Sequence, residues 1–197
     1  MEKIYIEPLQ PKDTVPAAVV LARAFSVELN NLAIFRYERD MERRQKPLFL
    51  QMLKEFPGIV LVARQENTIV GVLCMVEWPK CQMPRFKALQ YFASMLMVLR
   101  EGLLREMRLR RIWAKHDPKE PHWHIGPIGV EPDFQGRGIG SGLITHFLMR
   151  VDENHKPAYL GTDSIENVRF YRCFGFSVVG EETINEVSNW FMWRPAC

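Results

Sequence analysis

The sequence of 197 residues lacks several features that mark specialised classes of protein. No apolar run approaches the ~20 residues that a membrane-spanning helix needs, and the N-terminus has no basic region leading into an apolar segment. The four cysteines, Cys74, Cys81, Cys173 and Cys197, show no C-x-x-C spacing, which predicts reduced thiols. We therefore expect a cytoplasmic protein with no membrane partner.

A strong excess of one charge is also missing. The formal net charge is only +3, whereas nucleic-acid binders concentrate a basic surface, so we expect no nucleic-acid partner. Hydrophobic residues make up 47% of the chain, which is enough to bury a full core. No internal repeat or long linker divides the sequence, and one domain over residues 1–197 is predicted.

Hydrophobic periodicity predicts both strands and helices in this domain. The predicted strands are 4–9, 59–64, 69–78, 122–130, 158–160, 177–181 and 188–193. The predicted helical segments are 11–25, a stretch within 28–56, 84–115, 138–154 and 165–174. The fold class is therefore α/β, in the broad sense that includes α+β.

A glycine-rich segment, Gln135-Gly136-Arg137-Gly138-Ile139-Gly140-Ser141-Gly142, links the strand 122–130 to the helix that follows. Glycine backbones allow close approach, their N–H groups can point into one concavity, and the helix N-terminus adds positive charge. The pattern favours an anion, of which pyrophosphate is the natural example. Ser141 stands where the dinucleotide fingerprint needs its third glycine, and no Gly-Lys-Ser/Thr follows, which excludes both common nucleotide motifs.

Three motifs resemble the GCN5-related N-acetyltransferase (GNAT) family. Gln135-x-x-Gly138-x-Gly140 is similar to the family's Q/R-x-x-G-x-G/A signature, and Ile128-Gly129-Val130-Glu131-Pro132 resembles its fourth strand and exit turn. Asn167-x-x-x-Tyr171-x-x-x-Gly175-Phe176 resembles its later helix and the start of the next strand. The resemblance covers residues 120–194 and is closest to bacterial-type small-molecule enzymes, including those resembling puromycin acetyltransferase.

The resemblance implies a single-domain fold with a central mixed, mostly antiparallel sheet of about seven strands, flanked by helices, in which the fourth and fifth strands splay apart. It assigns the first strand and the substrate-side helices to 1–57, a hairpin of the second and third strands to 58–79, a helical insertion to 84–115 and an acetyl-CoA-binding core to 122–194. A proline inside the fourth strand, Pro127, fits such a splayed strand because it is tolerated at an edge or a bulge.

The activity implied by the resemblance is transfer of the acetyl group of acetyl-CoA to a primary amine of a small molecule, by direct attack in a ternary complex. The Ile128 N–H would polarise the acetyl carbonyl, Tyr171 would protonate the departing thiolate, and Asn167 would bond the pantetheine arm or cap its helix. The implied cofactor-binding residues are Ile128, Gly129, Val130, Gln135, Gly136, Arg137, Gly138, Ile139, Gly140, Ser141, Asn167, Phe170 and Tyr171.

A base is also needed, because the attacking amine must be neutral. His122 and His124 alternate along one strand and share a face, and His124 is the first candidate with His122 second. Many similar sequences carry an acidic residue where Gly161 stands, so Asp163 is a third candidate. His122, His124 and His116 resemble a metal set, but no Cys or acidic residue stands at a helpful spacing, and no metal is predicted.

The acceptor and the assembly remain open at this stage. A protein N-terminus, a lysine or a modified RNA could replace the small amine, and a non-catalytic CoA-binding module is a rival of a different class. A homodimer is also left open. Acceptor selection in the family implies roles for 25–56, 79–120 and 182–189, with candidate lining aromatics Phe35, Tyr37, Trp78, Phe86, Tyr91, Trp113 and Trp123.

Overall fold

The predicted strands form one mixed sheet. The computed structural model describes residues 3–36, 40–81 and 102–197, and its strands are β1 (Ile4–Pro8), β2 (Ile59–Gln65), β3 (Thr68–Glu77), β4 (Trp123–Val130), β5 (Ala158–Thr162), β6 (Ser177–Ile184) and β7 (Val187–Arg194). Their order in the sheet is β1-β2-β3-β4-β5-β7-β6. Among the described strands only β4 and β5 pair in parallel, so the predicted mixed, mostly antiparallel sheet is confirmed.

Six helices flank this sheet in the described residues: α1 (Thr14–Ala24), α2 (Leu29–Phe35), α3 (Met41–Glu55), α4 (Leu103–His116), α5 (Ile139–Glu153) and α6 (Ile165–Arg172). The helical stretch predicted within 28–56 is two helices, since the backbone turns left-handed at Arg36 (φ 52°) and Asp40 (φ 60°). The helix predicted over 84–115 is described only from its C-terminal half, and 84–101 lies outside the described residues.

The core has a layer on each face of the sheet. Alternation along β2 directs Val62 toward α1 and α3, and Leu61 and Ala63 toward α5. Helix α1 packs with small residues, so that a Cβ placed on Gly129 of β4 would lie 2.9 Å from the Ala24 Cβ. This close packing fixes the C-terminal end of α1 against β4.

Strands β4 and β5 pair over two residues only. Trp123 lies opposite Ala158 and His124 opposite Tyr159, and no further pairing joins these two described strands. The β3–β4 register shifts between Leu73 and Met75, which face Ile128 and Ile125, so β4 carries an extra residue at Gly126-Pro127. The proline thus lies at a bulge, where its missing N–H costs no ladder bond. The strands splay beyond this point, as the resemblance implied.

No single helix in the described ranges is long and apolar enough to cross a membrane, although the bent pair Pro11–Val27 and Leu29–Phe35 meets the criteria of length and composition together.

Candidate functional site

A cavity of about 840 Å³ lies between the end of β4 that is not paired with β5 and the start of α6. Its walls come from the end of α1 and the start of α2, from β4, from the glycine-rich loop and from α6. The lining residues are Ala24, Phe25, Val27, Glu28, Leu29, Ile128, Gly129, Val130, Phe134, Gln135, Gly136, Gly138, Ile139, Gly140, Ser141, Asp163, Ser164, Glu166, Asn167, Phe170 and Tyr171. The structure therefore gathers around one cavity every cofactor-binding residue proposed from the sequence except Arg137.

The glycine-rich loop has the geometry of an anion site. Gly136 (φ +74°) and Gly138 (φ +80°) are left-handed, a conformation that turns successive backbone N–H groups toward one side. Gly138 is the N-cap of α5, so no side chain caps the first turn of that helix. A Cβ on either glycine would meet no heavy atom within 4 Å, which leaves space in front of the loop for a ligand.

Arg137 turns away from this loop. Its guanidinium donates a hydrogen bond of 2.7 Å to the Asp133 carbonyl oxygen and lies 4.8 Å from the centroid of the Phe134 ring. The side chain thus supports the turn that precedes the loop. A contribution of Arg137 to ligand binding rests on its backbone.

The backbone of β4 offers donors to the cavity. The Glu131 N–H donates to the Val70 carbonyl on β3 at 2.9 Å. Because successive residues of a strand direct their N–H groups to opposite edges, the N–H groups of Val130 and Ile128 point to the splayed edge. The Val130 carbonyl accepts a hydrogen bond of 3.1 Å from the Gln135 side chain, which joins strand and loop.

Helix α6 forms the opposite wall. Ser164 is its N-cap and accepts a hydrogen bond of 3.2 Å from the Asn167 N–H, so Ser164, not Asn167, supplies the cap. The Asn167 side chain donates to Thr162 Oγ1 at 3.3 Å. Tyr171 is 5% exposed, and burial, together with the charge of Glu28, raises its pKa. The phenol therefore keeps its proton at neutral pH.

Carboxyl groups gather at the α2 end of the cavity, near Tyr171. Burial raises the pKa of Glu28 well above its usual range, and the charges of Asp163 and Glu106 raise it further. Burial also raises the pKa of Asp163, whose Oδ2 accepts a 2.6 Å hydrogen bond from the Asn30 N–H. Glu28 was missed by the sequence reasoning, because no local motif connects it to the residues of α6.

A buried polar network fixes this end of the cavity. The Asn30 side chain donates to Asn189 Oδ1 at 2.7 Å, and Trp113 Nε1 donates to the same oxygen at 3.0 Å. The Trp113 indole covers Gly161, where a Cβ would lie 3.1 Å from the ring. The position that carries an acidic residue in many similar sequences is thus occupied by tryptophan packing. The candidate lining residues Tyr37, Phe86 and Tyr91 lie outside the described residues.

The two histidines proposed as bases lie elsewhere. His124 belongs to the paired end of β4, opposite Tyr159 of β5, and neither His122 nor His124 lines the cavity. Their rings do share a face, with centroids 6.0 Å apart. His116 is not with them, since it stacks on Phe191 and its Nε2 lies 2.7 Å from Glu182 Oε2.

Comparison with known proteins gives one family and a consistent fold. The family model described as Acetyltransferase (GNAT) family matches residues 26–176 of this chain. A solved protein named histone acetyltransferase HPA2 and related acetyltransferase, from Corynebacterium glutamicum, is 21% identical over 100% of this chain and 98% of its own, with a TM-score of 0.76.

Two further structures share the fold at lower identity. Polyamine N-acetyltransferase from Drosophila melanogaster is 14% identical, with a TM-score of 0.68 over 97% of this chain and 98% of its own. The ribosomal-protein-S18-alanine N-acetyltransferase from Escherichia coli is 13% identical, with a TM-score of 0.57 over 98% and 94% of the two chains. These likenesses show the fold and leave the acceptor undecided.

Proposed function

The chain belongs to the acetyltransferase (GNAT) family and is an acetyl-CoA-dependent N-acetyltransferase, and we propose that its acceptor is a small amine carrying a second positive charge. Attack is direct, within a ternary complex of enzyme, acetyl-CoA and amine. The observation that carries the proposal is the pair of carboxyls at the cavity end next to Tyr171, the half-buried Glu28 and the buried Asp163.

Acetyl-CoA binding uses the loop and the splayed edge of β4. The pyrophosphate is placed at the N–H groups of 136–141, where the left-handed glycines and the start of α5 concentrate positive charge. The pantetheine arm runs along the splayed edge and pairs with Val130, beside Asn167 and Phe170 of α6. The acetyl carbonyl then lies at the Ile128 N–H, which stabilises negative charge on its oxygen during attack.

Replacing Gly138 with alanine tests the loop. A Cβ at φ +80° is strained, so the loop must shift its N–H groups, and we expect acetyl-CoA binding to weaken about tenfold. Gly175→Ala is the matched control, because Gly175 has φ +84° but does not line the cavity. Both variants should lose about 1–2 kcal/mol of stability. Equal dissociation constants in calorimetric titration would contradict the loop's role.

Glu28 is the proposed base, in place of His124. A general base works best when its pKa lies close to the operating pH, and burial with neighbouring carboxylates moves Glu28 in that direction. The Asn31 side chain donates to Glu28 Oε2 at 2.8 Å and fixes its orientation. Glu28 lines the cavity, whereas His124 does not. Glu28 accepts the proton of the bound ammonium group, either directly or through a water molecule.

Tyr171 is the proposed acid. Once the amine has attacked, the carbon–sulfur bond breaks and the CoA thiolate takes the phenol proton of Tyr171, while the second proton lost by the nitrogen restores the phenol through water. The same burial that raises the pKa of Tyr171 also raises that of a thiolate formed beside it, so the two groups remain matched for transfer. Phe170 and Phe176 pack against the Tyr171 ring and hold it, with ring centroids 5.2 and 5.9 Å away.

Contacts across the acceptor side support a small substrate over an extended peptide. The Asn185 side chain, in the turn between β6 and β7, donates to the Arg105 carbonyl oxygen of α4 at 3.0 Å. Arg105 in turn donates to the Ile34 carbonyl oxygen at the end of α2, at 2.7 Å. Helices α2 and α4 and the β6–β7 turn are thus joined, which supports an acceptor side of fixed shape.

A matched pair of acceptors tests the charge requirement. 1,4-Diaminobutane and 1-aminobutane have the same length and differ by one ammonium group, so the carboxyl groups should favour the diamine. We expect kcat/KM for the diamine to be at least about tenfold higher, a difference of about 1.4 kcal/mol. Asp163→Asn should reduce this ratio. Equal rates with both amines, or a preference for peptide acceptors, would overturn the acceptor assignment.

A further inference from the structure

A cluster of metal-ligating side chains lies outside the cavity, at the paired end of β4. Cys81, His122 and His124 each offer one ligand atom, and these three atoms lie within 4.8 Å of one another. Cys81 follows the end of β3, whereas the two histidines lie at the start of β4, so the cluster forms only through the fold.

Two ring nitrogens of the histidines in this cluster make no hydrogen bond within the described part of the chain. His122 is 0% exposed, and its Nε2 has no partner among the described residues. His124 Nδ1 and Asp117 Oδ1 lie 3.3 Å apart as an ion-pair contact, and neither makes a hydrogen bond among the described residues. A buried polar atom without a partner is costly, so the unpaired Nε2 of His122, close to the His124–Asp117 contact, indicates a bound species that satisfies it.

The orientation of His122 suits a metal in particular. Its Nδ1 lies 2.7 Å from the Glu120 carbonyl oxygen, which can only accept a hydrogen bond, so Nδ1 carries the proton. The lone pair of the ring is therefore on Nε2, the atom without a partner. A ligating histidine usually donates its other N–H to a carbonyl or carboxylate in this way.

We propose that Cys81, His122 and His124 bind one Zn²⁺ ion. One thiolate and two imidazoles form a donor set typical of zinc, and Asp117 or a water molecule completes four-coordination. Tetrahedral zinc bonds of about 2.0–2.3 Å place the ligand atoms roughly 3.3–3.8 Å apart. The observed cluster is within about 1.5 Å of that arrangement before any ion is added.

The position of the ion gives it a structural role. It joins the chain leaving β3 to the start of β4, where the Trp78 N–H already donates to the His122 carbonyl oxygen at 2.9 Å. His124 also belongs to one of the two β4–β5 pairs. Zinc therefore holds β4 in place at the end where the splay begins, and it takes no part in acetyl transfer.

Cobalt binding to the complete chain, purified without a histidine tag and dialysed against chelator, tests the site. We expect one Co²⁺ per chain with the charge-transfer absorption of a cobalt–thiolate bond, displaced by Zn²⁺. Cys81→Ser should remove that absorption and weaken binding at least about tenfold. Cys173→Ser and His155→Asn, which alter exposed residues outside the cluster, should bind like wild type.

Thermal unfolding gives a second readout. Free Zn²⁺ at about 100 times its dissociation constant should raise the Tm of the wild type by roughly 5–10 °C and leave Cys81→Ser unchanged. Turnover of acetyl-CoA should be the same with and without the ion. Absence of stoichiometric Co²⁺ binding by the wild type, or thiolate absorption that persists in Cys81→Ser, would overturn the proposal.

Discussion

Replacing Tyr171 with phenylalanine is expected to lower kcat for acetyl transfer by about 10²–10³-fold, because the thiolate of CoA then leaves without a proton donor. The ring remains, with its packing against Phe170 and Phe176, so the dissociation constant of acetyl-CoA should change by less than about threefold. Steady-state thiol release and calorimetric titration measure the two quantities separately.

Tyr159→Phe is the matched control for this variant. Tyr159 is also buried, and its hydroxyl donates to the His116 carbonyl oxygen at 3.0 Å, but it does not line the cavity. The control should lose about 1 kcal/mol of stability and retain wild-type turnover. If Tyr171→Phe retained the wild-type kcat, or if both variants lost turnover equally, Tyr171 would not be the acid.

Replacing Glu28 with glutamine is expected to lower kcat/KM about 10²-fold, since the amide cannot accept a proton from the amine. Glu166→Gln is the control: Glu166 lines the same cavity, but hydrogen bonds from its own backbone N–H and from Ser164 lower its pKa. A carboxylate with a lowered pKa is a weaker base, so the control should stay within about threefold of wild type. Equal losses in the two variants would contradict the assignment.

The same glutamine variant should also be more stable than the wild type. Burial and the charges of Asp163 and Glu106 penalise ionised Glu28 in the folded chain and raise its pKa, whereas the unfolded chain ionises it freely. The penalty is fully present above the raised pKa and disappears as the pH falls toward the ordinary carboxyl value of about 4.3.

Calorimetric melting as a function of pH measures this effect. We expect the Tm of Glu28→Gln to exceed that of the wild type by about 2–5 °C at pH 8 and the difference to vanish near pH 4. Wild-type kcat/KM should also fall as the pH drops through the raised pKa of Glu28, because the protonated carboxyl cannot act as a base. A Tm difference that grows at low pH would contradict this account.

The backbone geometry of the glycine-rich loop was predictable from sequence because it depends on adjacent residues. The contiguous segment 135–141 contains both the glycines that adopt left-handed conformations and the first turn of the next helix, and the structure has both features where the sequence pattern predicts them. The bulge at Pro127 was accessible for the same reason, since a proline changes the backbone at its own position.

The carboxyl cluster could not be found in this way. Glu28 follows α1 and Asp163 follows β5, and the fold brings the two segments together, where the Asn30 N–H donates to Asp163. His124 illustrates the complementary limit. Strand alternation predicts the face of the sheet on which a side chain lies. It does not predict whether the residue lies in the paired or the separated part of β4 and β5, because that depends on where the two strands stop pairing. The Cys81–His122–His124 cluster was passed over because its cysteine is distant in sequence.

Initial rates of thiol release, measured over a grid of acetyl-CoA and 1,4-diaminobutane concentrations, test direct acetyl transfer in the cavity between Glu28 and Tyr171. We predict turnover with intersecting lines in double-reciprocal plots, because both substrates must be bound before the acetyl group moves. Parallel lines would indicate a covalent acetyl-enzyme, and tight binding of acetyl-CoA without turnover on any amine would indicate a binding module. Either result would contradict the account.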